Sequence, residues 1–155
     1  MLHADVCRVT FDEMPPRTSP AVTRRADSVL VVDDDRDARE MLSEYLAFCG
    51  FVVYRAEDGN EAIAVAVRVR PRVVLMDLMM PRMDGWEATR RLRNDDRTRG
   101  MSIIALSACS HAEERARARQ VGCDDFIPKP VDLEELARIL SRLITRGPLD
   151  ATRLV

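Results

Sequence analysis

Asp33, Asp34, Asp77, Ser107 and Lys129 are the residues whose types and positions could do chemistry together. Each ends or closely follows a short apolar run, so each falls at the rim of a buried element rather than inside it. Carboxylates gathered at one rim repel, and all stay ionised only with a cation among them. Oxygen donors suit a hard ion, and Mg²⁺ is held by a few carboxylates together with waters and phosphate oxygens. A hydroxyl and an ammonium beside them complete a cradle for a phosphoryl group. In that setting Asp77 is a nucleophile that forms an acyl phosphate, while the metal and Lys129 stabilise the equatorial oxygens during in-line transfer. Singly, the residues have plainer uses. A strand-end aspartate is often only a helix cap, as Asp35 or Asp37 could be. Ser107 could be a capping hydroxyl, and Lys129 a surface charge in a Pro-Lys-Pro turn. Their arrangement in chain order at successive strand ends is what makes the set specific.

The elements that must position them show in the hydrophobic pattern. Val29–Val32, Val73–Met76 and Ile103–Leu106 are continuous apolar runs, read as strands buried on both faces. Val52–Tyr54 and Phe126-Ile127 are shorter strands, the second leading into Pro128-Lys129-Pro130. Between the first two strands, Ala38, Met41, Leu42, Tyr45, Leu46 and Cys49 recur at helical spacing on one face, with Gly50 as the stop. The pairs Asp58/Glu61, Asp84/Glu87, Ser110/Glu113 and Asp132/Glu135 have capping-box spacing and predict four further helix starts. These helices run to Val69 before Pro71, to about Asn94, to Val121 before Gly122, and to Gly147-Pro148. The last carries Leu133, Leu136, Ile139, Leu140, Leu143 and Ile144 on one side.

Strand followed by helix, five times over, predicts a doubly wound α/β fold. Five parallel strands with right-handed crossovers and a central first strand give the order 2-1-3-4-5. Ligands of such sheets bind beyond the carboxyl ends of the strands, at the switch point between strands one and three. Asp33, Asp34 and Asp77 end those two strands, and Ser107 and Lys129 end the next two. The second strand brings nothing comparable.

Of 155 residues, 46% are hydrophobic and 32% charged, enough for a core with a solvated surface, and the net charge of −2 gives no reason to expect nucleic acid as a partner. Nearly all cations are arginine; Lys129 is the only lysine. Cys7, Cys49, Cys109 and Cys123 lack CxxC spacing and read as the reduced thiols of a cytoplasmic protein. No apolar run approaches the roughly 18 residues of a membrane span, and no signal peptide opens the chain. Residues 1–27, with Pro15-Pro16, Pro20 and Arg24-Arg25, read as a flexible N-terminal tail; residues 28–147 form the domain and 148–155 a C-terminal tail.

The motifs Leu30-Val31-Val32-Asp33-Asp34-Asp35, Leu75-Met76-Asp77-Leu78-Met79-Met80-Pro81 with Met83-Asp84-Gly85, Ile103-Ile104-Ala105-Leu106-Ser107-Ala108 and Lys129-Pro130 carry a resemblance. The stretch from Val29 to Thr145 resembles a receiver domain of bacterial two-component response regulators, of the chemotaxis-receiver type, with its flavodoxin-like fold. The resemblance implies that Asp34 and Asp77 ligate Mg²⁺, that Asp33 helps through water, and that the Met79 carbonyl is a third protein ligand. It implies phosphorylation of Asp77 by a sensor histidine kinase or a histidine phosphotransfer protein, with Ser107 and Lys129 on the phosphoryl oxygens. It implies a cis Lys129–Pro130 bond, and a switch in which Ser107 moves toward the phosphoryl group and Phe126 follows. The expected readout is protein–protein contact through the face made by the fourth helix, fifth strand and fifth helix. The fourth helix, bearing Arg115, Arg117 and Arg119 with little large apolar surface, reads as exposed and loosely held.

Two positions depart from the chemotaxis type. Met79 and Cys109 stand where side chains flank the path of the hydrolytic water, and neither orients water well. The expectation is slow self-dephosphorylation. The eight residues after Gly147 read as too short for an output module, so a stand-alone receiver with no catalytic activity beyond self-phosphotransfer and self-dephosphorylation is expected. A hydrolase of phosphate esters using the same aspartyl chemistry would need a second acid where Met79 stands. A pseudo-receiver used only for binding would not need the full Asp34, Asp77, Ser107 and Lys129 set. A flavin protein of this fold would need a phosphate loop after the first strand, and none is present.

Overall fold

A computed structural model of the protein describes residues 28–145. The expected tails therefore lie outside the described residues. Five strands, β1 (Ser28–Val32), β2 (Val52–Ala56), β3 (Val73–Asp77), β4 (Ser102–Ser107) and β5 (Asp125–Pro128), alternate with α1 (Arg36–Phe48), α2 (Gly59–Val69), α3 (Gly85–Asn94), α4 (Ala112–Val121) and α5 (Leu133–Thr145). The sheet is parallel throughout and ordered β2-β1-β3-β4-β5, as the alternation requires.

The period of two along each strand divides the core into two layers. Leu30, Val32, Val74, Met76, Ile103, Ala105 and Phe126 face one side, where Ala62, Ala66, Trp86, Leu92 and Ala118 cover them from α2, α3 and α4. Val29, Val31, Val73, Leu75, Ile104, Leu106 and Ile127 face the other, against Leu42 and Leu46 of α1 and Leu136, Ile139 and Leu140 of α5. Both faces of β1 and β3 are covered, which is why their sequences are unbroken apolar runs.

Most helix boundaries follow their local signals. Asp35, Asp58 and Asp84 each accept a backbone N–H of the helix they precede, from Ala38, Glu61 and Glu87. Asp132 accepts from Glu134 and Glu135 at the start of α5. Two expectations need correction. The start of α4 is not capped by Ser110: His111 is its N-cap, with no side-chain cap bond, and a tertiary contact of Glu114 fixes the first turn instead. In α1 the buried stripe is Leu42, Ser43 and Leu46, while Met41 is 51% exposed, because only one row of that helix meets the sheet. The second strand also extends past Tyr54 to Ala56, paired along its length with β1.

Candidate functional site

Register builds the site. Val32 pairs with Met76, so the residues just beyond, Asp33 and Asp77, emerge at one level on adjacent strands. Asp77 pairs with Leu106 and Ser107 with Pro128, so Ser107 and Lys129 follow one step further along the rim. The Lys129 backbone N–H is tied to the Ser107 carbonyl at 2.7 Å, and the Lys129–Pro130 bond is cis. The β3–α3 loop folds back so closely that a Cβ on Gly85 would lie 2.1 Å from the Asp77 carbonyl oxygen. Only glycine fits there.

Asp33 and Asp77 are both buried, and they are bound alike. One oxygen of each accepts a backbone N–H two residues on, from Asp35 at 2.9 Å and from Met79 at 3.0 Å. The other oxygens share the Lys129 ammonium, at 2.8 Å for Asp33 and 3.1 Å for Asp77. Asp34 is exposed beside them, and carboxylate oxygens of Asp33, Asp34 and Asp77 lie within 4.8 Å of one another. Burial raises the Asp77 carboxyl to about 6, with the Met79 N–H and Lys129 offsetting only part of that cost and the Asp33 charge adding to it. Burial also works against the Lys129 cation, but the Asp33 hydrogen bond and the charges of Asp77 and Asp33 hold its pKa above the ordinary value. Desolvation thus wins at Asp77, while Asp33 is the better partner of Lys129.

Hard oxygen donors, two of them buried and served by one lysine, fit a divalent cation such as Mg²⁺. Asp34 and Asp77 would hold it, with Asp33 behind them and already engaged directly by Lys129. Asp35 has the plainer role allowed for it, as the N-cap of α1.

Ser107 stands at the same rim, yet its hydroxyl turns away from the aspartates. It donates to Glu114 Oε1 at 2.8 Å and accepts the Cys109 N–H at 3.2 Å. Phe126 is buried on the same face of the sheet, with the Arg115 guanidinium 5.0 Å over its ring. Met79 projects into solvent at 66% exposure, and Cys109 is half-buried. Glu114 is the residue that sequence reasoning missed. A carboxylate in the first turn of the helix after the Ser107 strand is the only signal for it, and Glu113, at capping-box spacing from Ser110, shares that signal. Two arginines on α4 are also not simply solvated, since Arg117 stacks 4.4 Å over Trp86 just as Arg115 covers Phe126.

A doubly wound sheet of this order with an acidic, lysine-bridged switch point is the architecture of a receiver domain. The chain belongs to the response regulator receiver domain family, whose model matches residues 29–141. It is 44% identical over 130 residues to the response regulator MprA of Mycobacterium leprae, covering 82% of this chain and 55% of that protein. It therefore spans about half the length of the curated relatives it matches. Among solved structures, it resembles the receiver domain of the Pseudomonas aeruginosa sensor histidine kinase PA1611, which holds a magnesium ion in its active site cleft, at 34% identity and TM-score 0.72 over 77% of this chain and 98% of that one. It also resembles the Vibrio cholerae chemotaxis protein CheY4, at 32% identity and TM-score 0.72 over 76% and 98% of the two chains.

Proposed function

We propose that this domain is a phosphorylation-dependent switch in which Asp77 accepts a phosphoryl group from a phosphohistidine of a sensor histidine kinase or a histidine phosphotransfer protein. The observation that carries the reading is the convergence of Asp33, Asp34 and Asp77 within 4.8 Å of one another, with Lys129 bridging Asp33 and Asp77, at the switch point of the sheet. An Asp77 oxygen attacks phosphorus, the P–N bond breaks, and its electron pair leaves with the imidazole. Asp34 and Asp77, with the Met79 carbonyl as a further ligand and Asp33 behind, would hold Mg²⁺, which when bound would neutralise charge at the phosphoryl oxygens. Lys129 exchanges its bond to Asp77 for one to the phosphoryl group while keeping Asp33, and Ser107 donates to a second oxygen.

Phosphorylation draws Ser107 toward Asp77 and lets Phe126 move behind it, which changes the α4–β5–α5 face. Output then follows by protein contact at that face, a mode compatible with a stand-alone receiver and with a longer protein like the curated relatives. The exposed Met79 and the Cys109 side chain leave the attacking water without a polar guide, so the acyl phosphate decays slowly. A decay half-life of seconds in excess Mg²⁺ would contradict that. Met79 also argues against the ester-hydrolase alternative, since it stands where a second acid is needed. The lysine-bridged aspartates argue against a non-phosphorylated binding module, because packing alone does not call for them.

Acetyl phosphate with Mg²⁺ is expected to add the mass of one phosphoryl group to the wild type and none to Asp77→Asn, read by intact-mass spectrometry. EDTA should abolish the addition. Wild-type protein that gains no mass would put the pure binding module ahead.

A further inference from the structure

We propose that Glu114 is the off-state latch of this switch, a positioning residue that holds the Ser107 hydroxyl on α4 and must release it when Asp77 is phosphorylated. The inference rests on the reading of Asp77 as phosphoacceptor and of Ser107 as a donor to the phosphoryl group.

Strand alternation makes the contact possible. Ser107 continues the row Ile103, Ala105, which faces the α3–α4 side of the sheet, and Phe126 pairs with Ala105 on that same side. Asp77 continues the opposite row, Val73 and Leu75. Ser107 therefore begins on the readout side of the rim. Its hydroxyl has one proton, and that proton is given to Glu114 Oε1 at 2.8 Å. It cannot be given to a phosphoryl oxygen at the same time, so the two bonds are mutually exclusive.

The carboxylate has as much at stake as the hydroxyl. Glu114 Oε2 is buried and has no hydrogen-bond partner among the described residues. Once Ser107 departs, neither oxygen has a donor in place, and an unsatisfied buried carboxylate is costly. The first turn of α4 must then carry Glu114 out to water. Little opposes that motion. Ala118 is the buried residue of α4, while its C-terminal end is held separately, by the Arg93 guanidinium on the Gly122 carbonyl at 2.7 Å. Arg115, next in sequence, covers Phe126, so consecutive residues of one turn hold both parts of the switch. The coupling is reciprocal: whatever draws this turn away from the sheet favours phosphorylation.

The test measures affinity for beryllofluoride, a phosphoryl mimic, by calorimetry in Mg²⁺, alongside intact-mass assay with acetyl phosphate. Glu114→Ala is expected to tighten beryllofluoride binding about tenfold, the scale of a charge-assisted hydrogen bond. Glu113→Ala removes the same charge from the same turn and is expected to leave the affinity near that of wild type. Glu114→Gln keeps an acceptor for Ser107 and should tighten binding by a smaller factor; it serves where the alanine variant folds poorly. In a Ser107→Ala background the Glu114 effect should vanish, a loss that a merely structural role would not produce. The latch alone is overturned if the wild type takes phosphate while neither Glu114 variant binds more tightly than Glu113→Ala, or if the tightening survives without Ser107. Wild-type protein that takes neither phosphate nor beryllofluoride overturns the phosphoacceptor reading, and the latch with it.

Discussion

Every residue of β3, from Val73 to Asp77, is buried, whereas α4 buries Ala118 alone of its ten. The first is held by apolar layers on both faces and by strands on both sides. The second is held by a carboxylate–hydroxyl bond, two guanidinium–ring contacts and an arginine at its last turn. The difference fits the roles proposed for the two. A nucleophile has to meet its metal and its lysine in a fixed geometry, so it is mounted where packing over-determines position. A readout element has to change at modest cost, so it is drawn from the least buried part of the fold.

The sharpest way to break the contrast is at the turn supporting the rigid end. A methyl group on Gly85 would overlap the Asp77 carbonyl and lie 2.8 Å from Leu78 Cα, both of them backbone. Gly85→Ala is expected to destabilise by about 3 kcal/mol or more and to lose phosphorylation with it. Urea unfolding would show this, and a cost no larger than that of an exposed α4 substitution would mean the rim is softer than its packing implies.

Asp77 sharpens the contrast by showing what the rigid site costs. Burial lifts its folded-state pKa from 3.8 to about 6. The native state therefore holds this proton more tightly than the unfolded chain, and ionisation works against folding. The penalty is absent below 3.8, grows as pH rises, and is complete above about 6. It amounts to something on the order of 2–3 kcal/mol. In metal-free buffer at neutral pH, Asp77→Asn should raise Tm by several degrees, since Lys129 keeps its 2.8 Å bond to Asp33. The gain should disappear as the pH falls to the ordinary carboxylate value. Mg²⁺ should raise the wild-type Tm and do less for the variant. An Asn variant less stable than wild type at neutral pH would show that the Lys129 contact outweighs desolvation.

The same contrast explains what the sequence disclosed. Strand ends were legible because burial on both faces leaves unbroken apolar runs, and a polar residue closing such a run must fall at the rim, as Asp33, Asp77 and Ser107 do. The order of strands followed from alternation, and four helix starts from aspartates that do cap. The phase of α4 was not legible. Ala-Glu-Glu-Arg-Ala-Arg-Ala-Arg-Gln-Val has no apolar stripe to say which side meets the sheet. Glu113 and Glu114 look equivalent in such a segment, and the three arginines look uniformly solvated. Only packing distinguishes the carboxylate that reaches Ser107 from its neighbour. Likewise, three consecutive aspartates gave no sign that Asp33 would be buried against Lys129 and Asp34 exposed, although the helix that follows did allow Asp35 as its cap.

The smallest expected effect tests the loose side. Arg117 lies 4.4 Å over the ring of Trp86, the only tryptophan, and joins the exposed face of α4 to the core of α3. A cation–ring contact at an exposed residue is worth about 0.5–1 kcal/mol, so Arg117→Ala should change global stability by no more than that. On a helix with one buried residue, however, such a contact is a large share of what holds it down. Hydrogen exchange in α4 should therefore accelerate severalfold while β3 amides keep their protection, and Trp86 emission should shift as its ring loses the guanidinium. Acceleration of β3 to the same degree would mean that α4 and the rim open as one unit. Unchanged α4 protection would mean that Glu114 and Ala118 hold the helix without the arginine.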